Sequence, residues 1–419
     1  MSEIIEALGE RLAAAVAAPE VQSLARGLEL IVRFGNGMHA IDVVCAQGRV
    51  AVESTGRVDV RAADVRAADI SLIAADAEWE IALQPMPPPT YHSFSSIQLR
   101  NPRFTVSGDP LAIAQARACL EAIFAHLSGD HGGASAVDLH RLCGRYHRVR
   151  AANGQVCDVY SESAGAGMAV LCLHTAGADT RQFHGVICDP VLGRDWRIIG
   201  FDMPSHGRSM PPFGWDGGVY RLDQATYLDW CTSFIEQVVG GPVVVIGCSM
   251  GAGIALALAA ERPDLVRAVI ALEAPLRPRG RRNPFLTHAQ VNGGWHSAAY
   301  VRGLMSPSSP AEDRRRAAHI YAQGAPGVYD GDLVFYSDEF DGEAIAKRID
   351  GEKIPVDFLI GHYDFSATVS DAHALRGWIK GATVTEMPEL GHFPMTENPP
   401  ALLAYLRPVM ATLPRRMRR

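Results

Sequence analysis

The sequence predicts an α/β protein: a mainly parallel sheet with helices on both faces and a helical cap, preceded by a smaller α+β domain. Three observations lead there. From about residue 141 onward, short apolar runs of strand length alternate with helix-length segments, the pattern of a buried parallel sheet. Before that point, short strand-like runs sit between an opening and a closing helix without such alternation. The charge also divides. Residues 1–132 hold 16 acids against 10 arginines, whereas the remainder is nearly balanced.

The chain has 419 residues, 48% hydrophobic and 20% charged, with a net charge of −7. This is enough apolar sequence for a large core and suggests more than one domain. The acidic balance argues against nucleic acid as a partner. The one dense basic run, Arg415, Arg416, Arg418 and Arg419, reads as a solvated tail. Eight cysteines without a C-x-x-C pair suit reduced thiols in a cytoplasmic protein. Glu3, Glu6, Glu10 and Arg11 make the N-terminus an amphipathic helix rather than a signal peptide. Gln237 to Ala260 is uncharged and long enough to span a bilayer. Pro242 and five glycines break it into a buried strand and a buried helix, so no membrane span is expected.

Taken in order, the first module (1–128) opens with a helix near 2–18. Strand-like runs follow at Leu28–Phe34, Arg49–Glu53, Val58–Val60, Ile70–Ile73 and Phe104–Ser107. A Pro85–Pro89 loop interrupts them. Ile113, Ala116, Leu120, Ile123 and Leu127 mark a closing helix. The stretches ADISLIAADAEWEIAL (68–83) and FTVSGDPLAIAQARACL (104–120) resemble sterol-carrier-protein-2-like modules. That resemblance implies an apolar tunnel and a lipid-carrier role. The alternative is a module that docks on the main domain or makes a homo-oligomer. The Gly/Ser/His-rich segment within 129–140 reads as a linker.

In the second part (141–419), Tyr146–Ala151 and Val156–Ser161 read as a hairpin. Strands follow at Met168–Leu173, Trp196–Phe201, Val243–Ile246, Val266–Leu272, Val356–Ile360 and Thr383–Met387. Helices are expected over Ala225–Val239, Ala252–Ala260, Asp371–Trp378 and Ala401–Leu413. Residues 276–350, rich in Pro, Arg and Gly, look like an insertion over the sheet.

Gly247-Cys248-Ser249-Met250-Gly251 follows the run VVVI and precedes a helix. This is G-x-S-x-G in a strand-turn-helix setting. The turn lifts a serine above the sheet edge, and glycines are needed where strand and helix backbones crowd. Here the sequence resembles the α/β-hydrolase family over about 141–419. The resemblance implies Ser249 as nucleophile, then Asp364 in GHYD after the strand VDFLI, then His392 in ELGHFP. The order Ser, Asp, His matches the family's. A serine hydroxyl needs a base, and an imidazole needs an acid to hold its tautomer. Glu273, after VRAVIAL, is the alternative acid.

The resemblance also implies an oxyanion hole from the backbone N–H groups of Met250 and Ala176. Thr175 stands where the family usually has glycine. Arg181, Gln182 and His184 are candidates for the pocket, as are Trp295 and His296 in the aromatic-rich insertion, which suits an apolar or aromatic small molecule. No metal-ligand spacing and no nucleotide fingerprint is present, so no cofactor is expected.

The expected function is a cofactor-independent serine esterase or lactonase working through an acyl-enzyme. Carbon–carbon bond hydrolysis of a vinylogous diketone by the same triad is the alternative. A non-catalytic ligand receptor or a lipid-carrier module are further readings from different classes.

Overall fold

The computed structural model describes residues 2–57, 67–129 and 132–417. The expected run Val58–Val60 lies outside them, as do Asp130 and His131 of the expected linker and Arg418 and Arg419 of the tail.

The first sheet contains β1 (Leu30–Gly35), β2 (His39–Ala46), β3 (Arg49–Arg57), β4 (Ile70–Ile73) and β5 (Thr105–Gly108), in the order β3-β2-β1-β4-β5. β1 pairs parallel with β4, and the other neighbours are antiparallel. Helix Glu3–Ala17 starts at Ser2, whose side chain accepts the Ile5 N–H, and it buries Ile5, Leu8 and Leu12. Helix Pro110–Leu127 starts at Asp109 and buries Ile113, Leu120 and Ile123. With Phe34 and Trp79 these side chains fill the module's own core.

β2 is absent from the sequence expectation for a physical reason. Asp42 interrupts its apolar run, and the strand is buried on both faces. Buried Arg33 on β1 bonds Asp42 through two N–H···O contacts of 2.8 Å, which makes a charge tolerable there.

The second sheet contains β6 (Cys143–Arg150), β7 (Val156–Ala164), β8 (Met168–Leu173), β9 (Trp196–Phe201), β10 (Val243–Cys248), β11 (Val266–Leu272), β12 (Val356–Gly361) and β13 (Thr383–Met387). Their order is β13-β12-β11-β10-β8-β9-β7-β6. β13 through β9 run parallel, while β6 and β7 form an antiparallel edge. β10 and β12 are buried along their whole length, because a hydrophobic cluster covers each face of the sheet. This explains why they read as continuous apolar runs.

Residues 276–350 carry helices Gly293–Arg302, Ala311–Ala322, Val328–Leu333 and Gly342–Ala346, and no strand. The N-terminal module packs against this insertion. His92 Nε2 and Ser93 Oγ lie 3.1 and 2.8 Å from the Gly303 carbonyl, and Arg302 pairs with Glu20 at 2.5 Å. Tyr363 donates to the Pro87 carbonyl at 3.1 Å, so the proline-rich loop reaches the end of β12.

Arg416 departs from the expected solvated tail, while Arg415 is exposed as expected. Arg415 and Arg416 end helix Pro399–Arg416, and Arg416 pairs at 2.7 Å with buried Asp357 on β12. The carboxylate left by β12 needs a cation, and the last helical turn supplies it.

The tightest crossing lies between β8 and helix Met250–Glu261. A Cβ on Gly251 would stand 2.1 Å from the Leu173 carbonyl oxygen and 2.8 Å from that of His174. Both obstacles are backbone and cannot turn aside. Gly251→Val is therefore expected to cost about 3 kcal/mol or more. Thermal unfolding of the purified variant checks this, and an unchanged midpoint would contradict the packing described.

Candidate active site

Ser249 sits between β10 and helix Met250–Glu261 with φ +55° and ψ −115°. A serine pays a steric penalty there, so the surrounding structure must hold it. Its N–H is tied to the Leu272 carbonyl at 3.0 Å. On the strand side a Cβ on Gly247 would overlap the Gly251 carbonyl, at 2.0 Å. Glycine at these two positions is what lets the turn close.

Three side chains from three loops meet at this turn. His392 Nε2 lies 2.8 Å from Ser249 Oγ, and His392 Nδ1 lies 2.5 Å from Asp364 Oδ2. The other Asp364 oxygen accepts the Ser366 N–H at 2.6 Å. With Nδ1–H donated to Asp364, Nε2 is left as the acceptor for the serine proton. Ser249, Asp364 and His392 are all buried.

Buried carboxyls hold the loops that carry these groups. Glu397 accepts the Gly391 N–H at 2.6 Å and the Ser306 N–H at 2.8 Å, fixing the residue before His392 to the insertion. Burial pushes its carboxyl up to about 8. Both oxygens of Glu273 accept the Gly361 N–H, at 2.9 and 3.0 Å. Burial, then the nearby Asp364 charge, raises Glu273 well above the ordinary carboxylate range. Glu273 therefore braces the end of β12, and Asp364 bonds the imidazole. Glu273 also adopts φ +48°, a second strained position beside the first.

The loop after β8 is anchored on both sides of Ala176. Gln182 Oε1 accepts from the Thr175 N–H and hydroxyl at 3.1 and 3.0 Å, and Asp332 Oδ2 accepts the Gly177 N–H at 2.7 Å. The Ala176 N–H has no acceptor among the described residues. The Met250 N–H opens its helix, where no intrahelical acceptor exists. Thr175, in place of the family's glycine, contacts the Tyr321 hydroxyl of the insertion. Asp332 also accepts from Tyr220 at 3.1 Å and meets His206 Nε2 at 2.8 Å. Burial weighs against the His206 cation, yet Asp332 holds that imidazole above its ordinary value.

The sequence candidates for the pocket divide. Gln182 is buried beneath the oxyanion loop. Arg181 pairs with Asp179 at 2.6 Å and borders a cleft of about 510 Å³ with His206, Arg208 and Gln323. Ser249 does not line that cleft. His184 is held by Glu162 at 2.7 Å. Trp295 is largely exposed, and His296 Nδ1 lies 3.2 Å from the Ala114 carbonyl of the N-terminal module. These two insertion residues are thus turned to solvent and to the module rather than to Ser249.

Tyr336 covers the serine instead, with its hydroxyl 3.0 Å from Ser249 Oγ. Tyr336 was one aromatic among many in the insertion, and nothing local in the sequence marks it. Asp332 and Glu397 carry no signal either, since their partners lie up to 155 residues away. Among the described residues no three His, Cys, Asp or Glu side chains group as metal ligands. No described helix is long and apolar enough to cross a membrane.

The sequence profile of the α/β hydrolase fold matches residues 169–399, more than half of the chain. A serine hydrolase-like protein of Danio rerio is 31% identical over 107 residues, which cover 26% of this chain and 31% of that protein. This chain thus spans about a third of that relative's length. A pimeloyl-[acyl-carrier protein] methyl ester esterase of Neisseria meningitidis serogroup B is 24% identical over 253 residues, 57% of this chain and 91% of the esterase. The crystal structure of the enol-lactonase from Burkholderia xenovorans LB400 superposes with a TM-score of 0.53 at 18% identity. It covers 64% of this chain and 99% of its own, a likeness of fold.

Glu397 has a measurable consequence. Its folded-state pKa of about 8 lies above the 4.5 of an ordinary glutamate. Its contribution is complete below pH 4.5 and is lost as pH rises toward 8, because the unfolded chain sheds the proton first. Relative to Glu397→Gln, the wild type is expected to lose roughly 5 °C of thermal midpoint across that window. Parallel midpoint-against-pH curves for the two proteins would contradict it.

Proposed function

The chain belongs to the α/β-hydrolase family, and on that premise we propose that it is a cofactor-independent serine hydrolase that cleaves an ester or lactone through an acyl-enzyme. The observation that carries this reading is the Ser249–His392–Asp364 chain of hydrogen bonds on a strained strand-to-helix turn.

In this mechanism Ser249 Oγ attacks the carbonyl carbon while His392 Nε2 takes its proton. Asp364 stabilises the imidazolium that forms. The N–H groups of Met250 and Ala176 receive the developing oxyanion. As the tetrahedral intermediate collapses, His392 returns the proton to the leaving alcohol. Water, deprotonated by the same imidazole, then attacks the acyl carbon and releases the acid and Ser249.

Residues 276–350 serve as the cap, because Tyr336 from this segment touches the nucleophile. Buried Tyr321 and Tyr336 and partly buried Tyr300 and Tyr329 favour an apolar or aromatic substrate body. Residues 1–128 serve as a docking module joined by 129–140 to a hydrolase domain over 141–419. The support is the set of contacts from Glu20, His92 and Ser93 to the Arg302–Gly303 turn. Eight unpaired cysteines, seven of them buried, favour the cytoplasm.

The test is pre-steady-state hydrolysis of p-nitrophenyl esters beside Ser249→Ala. A burst followed by steady turnover is expected in the wild type. The variant should lose the burst and about 10⁴-fold or more of kcat, since triad members act as a unit. A variant that retains full activity would overturn the mechanism.

A further inference from the structure

Arg281 stands at the entry to the insertion, and Asp364 is the one carboxylate among the groups that act on its charge. Four other arginines that reach the interior form ion pairs: Arg33 with Asp42, Arg208 with Glu162, Arg302 with Glu20 and Arg416 with Asp357. Arg281 forms no such pair among the described residues. Its side-chain hydrogen bond is a long one, Nη1 to the Tyr300 hydroxyl at 3.3 Å. Its guanidinium carbon lies 5.5 Å from the Tyr300 ring centroid.

The position is close to the chemistry. The Arg281 N–H donates to Ser337 Oγ at 3.0 Å, which sets it beside Tyr336 on the nucleophile. Tyr300, Tyr336, Tyr329 and Asp364 are the groups whose charge or dipole it feels. Asp364 is already engaged by His392 and the Ser366 amide. Arg281 is deeply enclosed by protein, yet it keeps some accessible surface, as do Tyr300 and Tyr329. Each of these side chains therefore keeps a face that a ligand can reach.

A second cation faces the same ring. Arg117, from the N-terminal module, also lies 5.5 Å from the Tyr300 centroid. It is buried and bonds the neutral Ser95 Oγ and Gln98 Oε1, each at 2.7 Å. Arg117 has the buried Glu121 carboxyl of its own module among its charged neighbours, so Arg281 is the cation of this wall that faces the reacting centre. Burial weighs against the Arg281 cation while its neighbours favour it, so the site holds the charge that an incoming anion would meet.

The geometry points to Arg281 as the binding site for a free carboxylate on the substrate. The substrate class is then an ester or lactone that carries a second, unesterified acid on an apolar body. A planar monoanion matches one guanidinium fork, with Tyr300 as a neutral hydroxyl partner. A dianionic phosphate would leave one charge unmatched. This inference rests on the acyl-enzyme reading and adds the substrate's charge to it.

Matched substrate pairs test it: 4-acetoxybenzoate against 4-acetoxybenzamide, and monomethyl adipate against methyl hexanoate. The wild type should prefer the acid of at least one pair in kcat/KM. Arg281→Met should shrink that acid-to-neutral ratio by at least about 30-fold, and Arg281→Lys should retain part of it. A wild type with no preference for either acid, or an Arg281→Met ratio equal to the wild type's, overturns the assignment. Thermal melting reports whether the Met variant folds, and if it does not, the wild type and Lys ratios decide.

Fluorophosphonate labelling of Ser249 separates the two levels of the argument. No labelling of folded wild type overturns the acyl-enzyme reading itself. Labelling that adipate slows in the wild type, but not in Arg281→Met, supports the carboxylate site even if neither substrate pair is turned over. Labelling that adipate leaves untouched, or that inorganic phosphate slows more than adipate does, overturns the carboxylate assignment alone.

Discussion

The site depends on one close crossing, where β10 turns into helix Met250–Glu261 against the end of β8. Side chains at positions 247 and 251 would overlap backbone that cannot move. The two glycines therefore allow the turn, and the turn forces Ser249 to φ +55°. The strain is offset by β10, which is buried throughout and hydrogen-bonded on both sides. The same crossing directs the Met250 N–H and the helix N-terminus toward the reacting centre. Moving any of these would move the serine, so position, polarity and strain are a single feature of the fold.

Around this fixed point the remaining groups are carried by loops, and buried carboxyls hold the loops. Glu397 ties the residue before His392 to Ser306 of the insertion, Glu273 ties the end of β12, and Asp332 ties the oxyanion loop to the insertion. Each accepts a backbone N–H that would otherwise be orphaned in a dry interior. Glu397 and Glu273 are raised by burial, so they favour the neutral form and add little negative charge near Asp364. Asp364 is the carboxyl that faces the imidazole. Two of the three ties end on the insertion, so the placement of the loops around Ser249 and the placement of the insertion are coupled.

Much of the architecture was legible because the relevant signals are local. The strand from Met168 to Leu173, the strand from Val266 to Leu272 and the helix following Ser249 each announce themselves by apolar runs and spacing. The G-x-S-x-G turn did so too, since steric need for glycine is written into five consecutive residues. The unread features share one physical trait, a partner distant in sequence. β2 is hidden by Asp42, whose charge makes sense only beside Arg33. Tyr336 looks like any core aromatic until it meets Ser249, 87 residues away. Arg416 reads as a tail until Asp357 is placed beneath it. Trp295 and His296 were drawn to the pocket by residue type, whereas the N-terminal module decides which way their helix faces.

That last point bears on what the N-terminal module contributes. Its contacts fall on the Arg302–Gly303 turn, and that turn leads directly to Leu304, whose carbonyl accepts the His392 N–H at 3.0 Å. The chain of contacts therefore runs from His92 and Ser93, through Gly303 and Leu304, to the backbone of His392. A Cβ on Gly303 would stand 2.6 Å from Glu121 of the module, so this approach has little slack. Arg117 extends the same wall to Tyr300. A module that only tethered the enzyme would have no reason to meet the insertion at this turn. Its position ties the insertion, and through Leu304 the backbone of His392, to the first module.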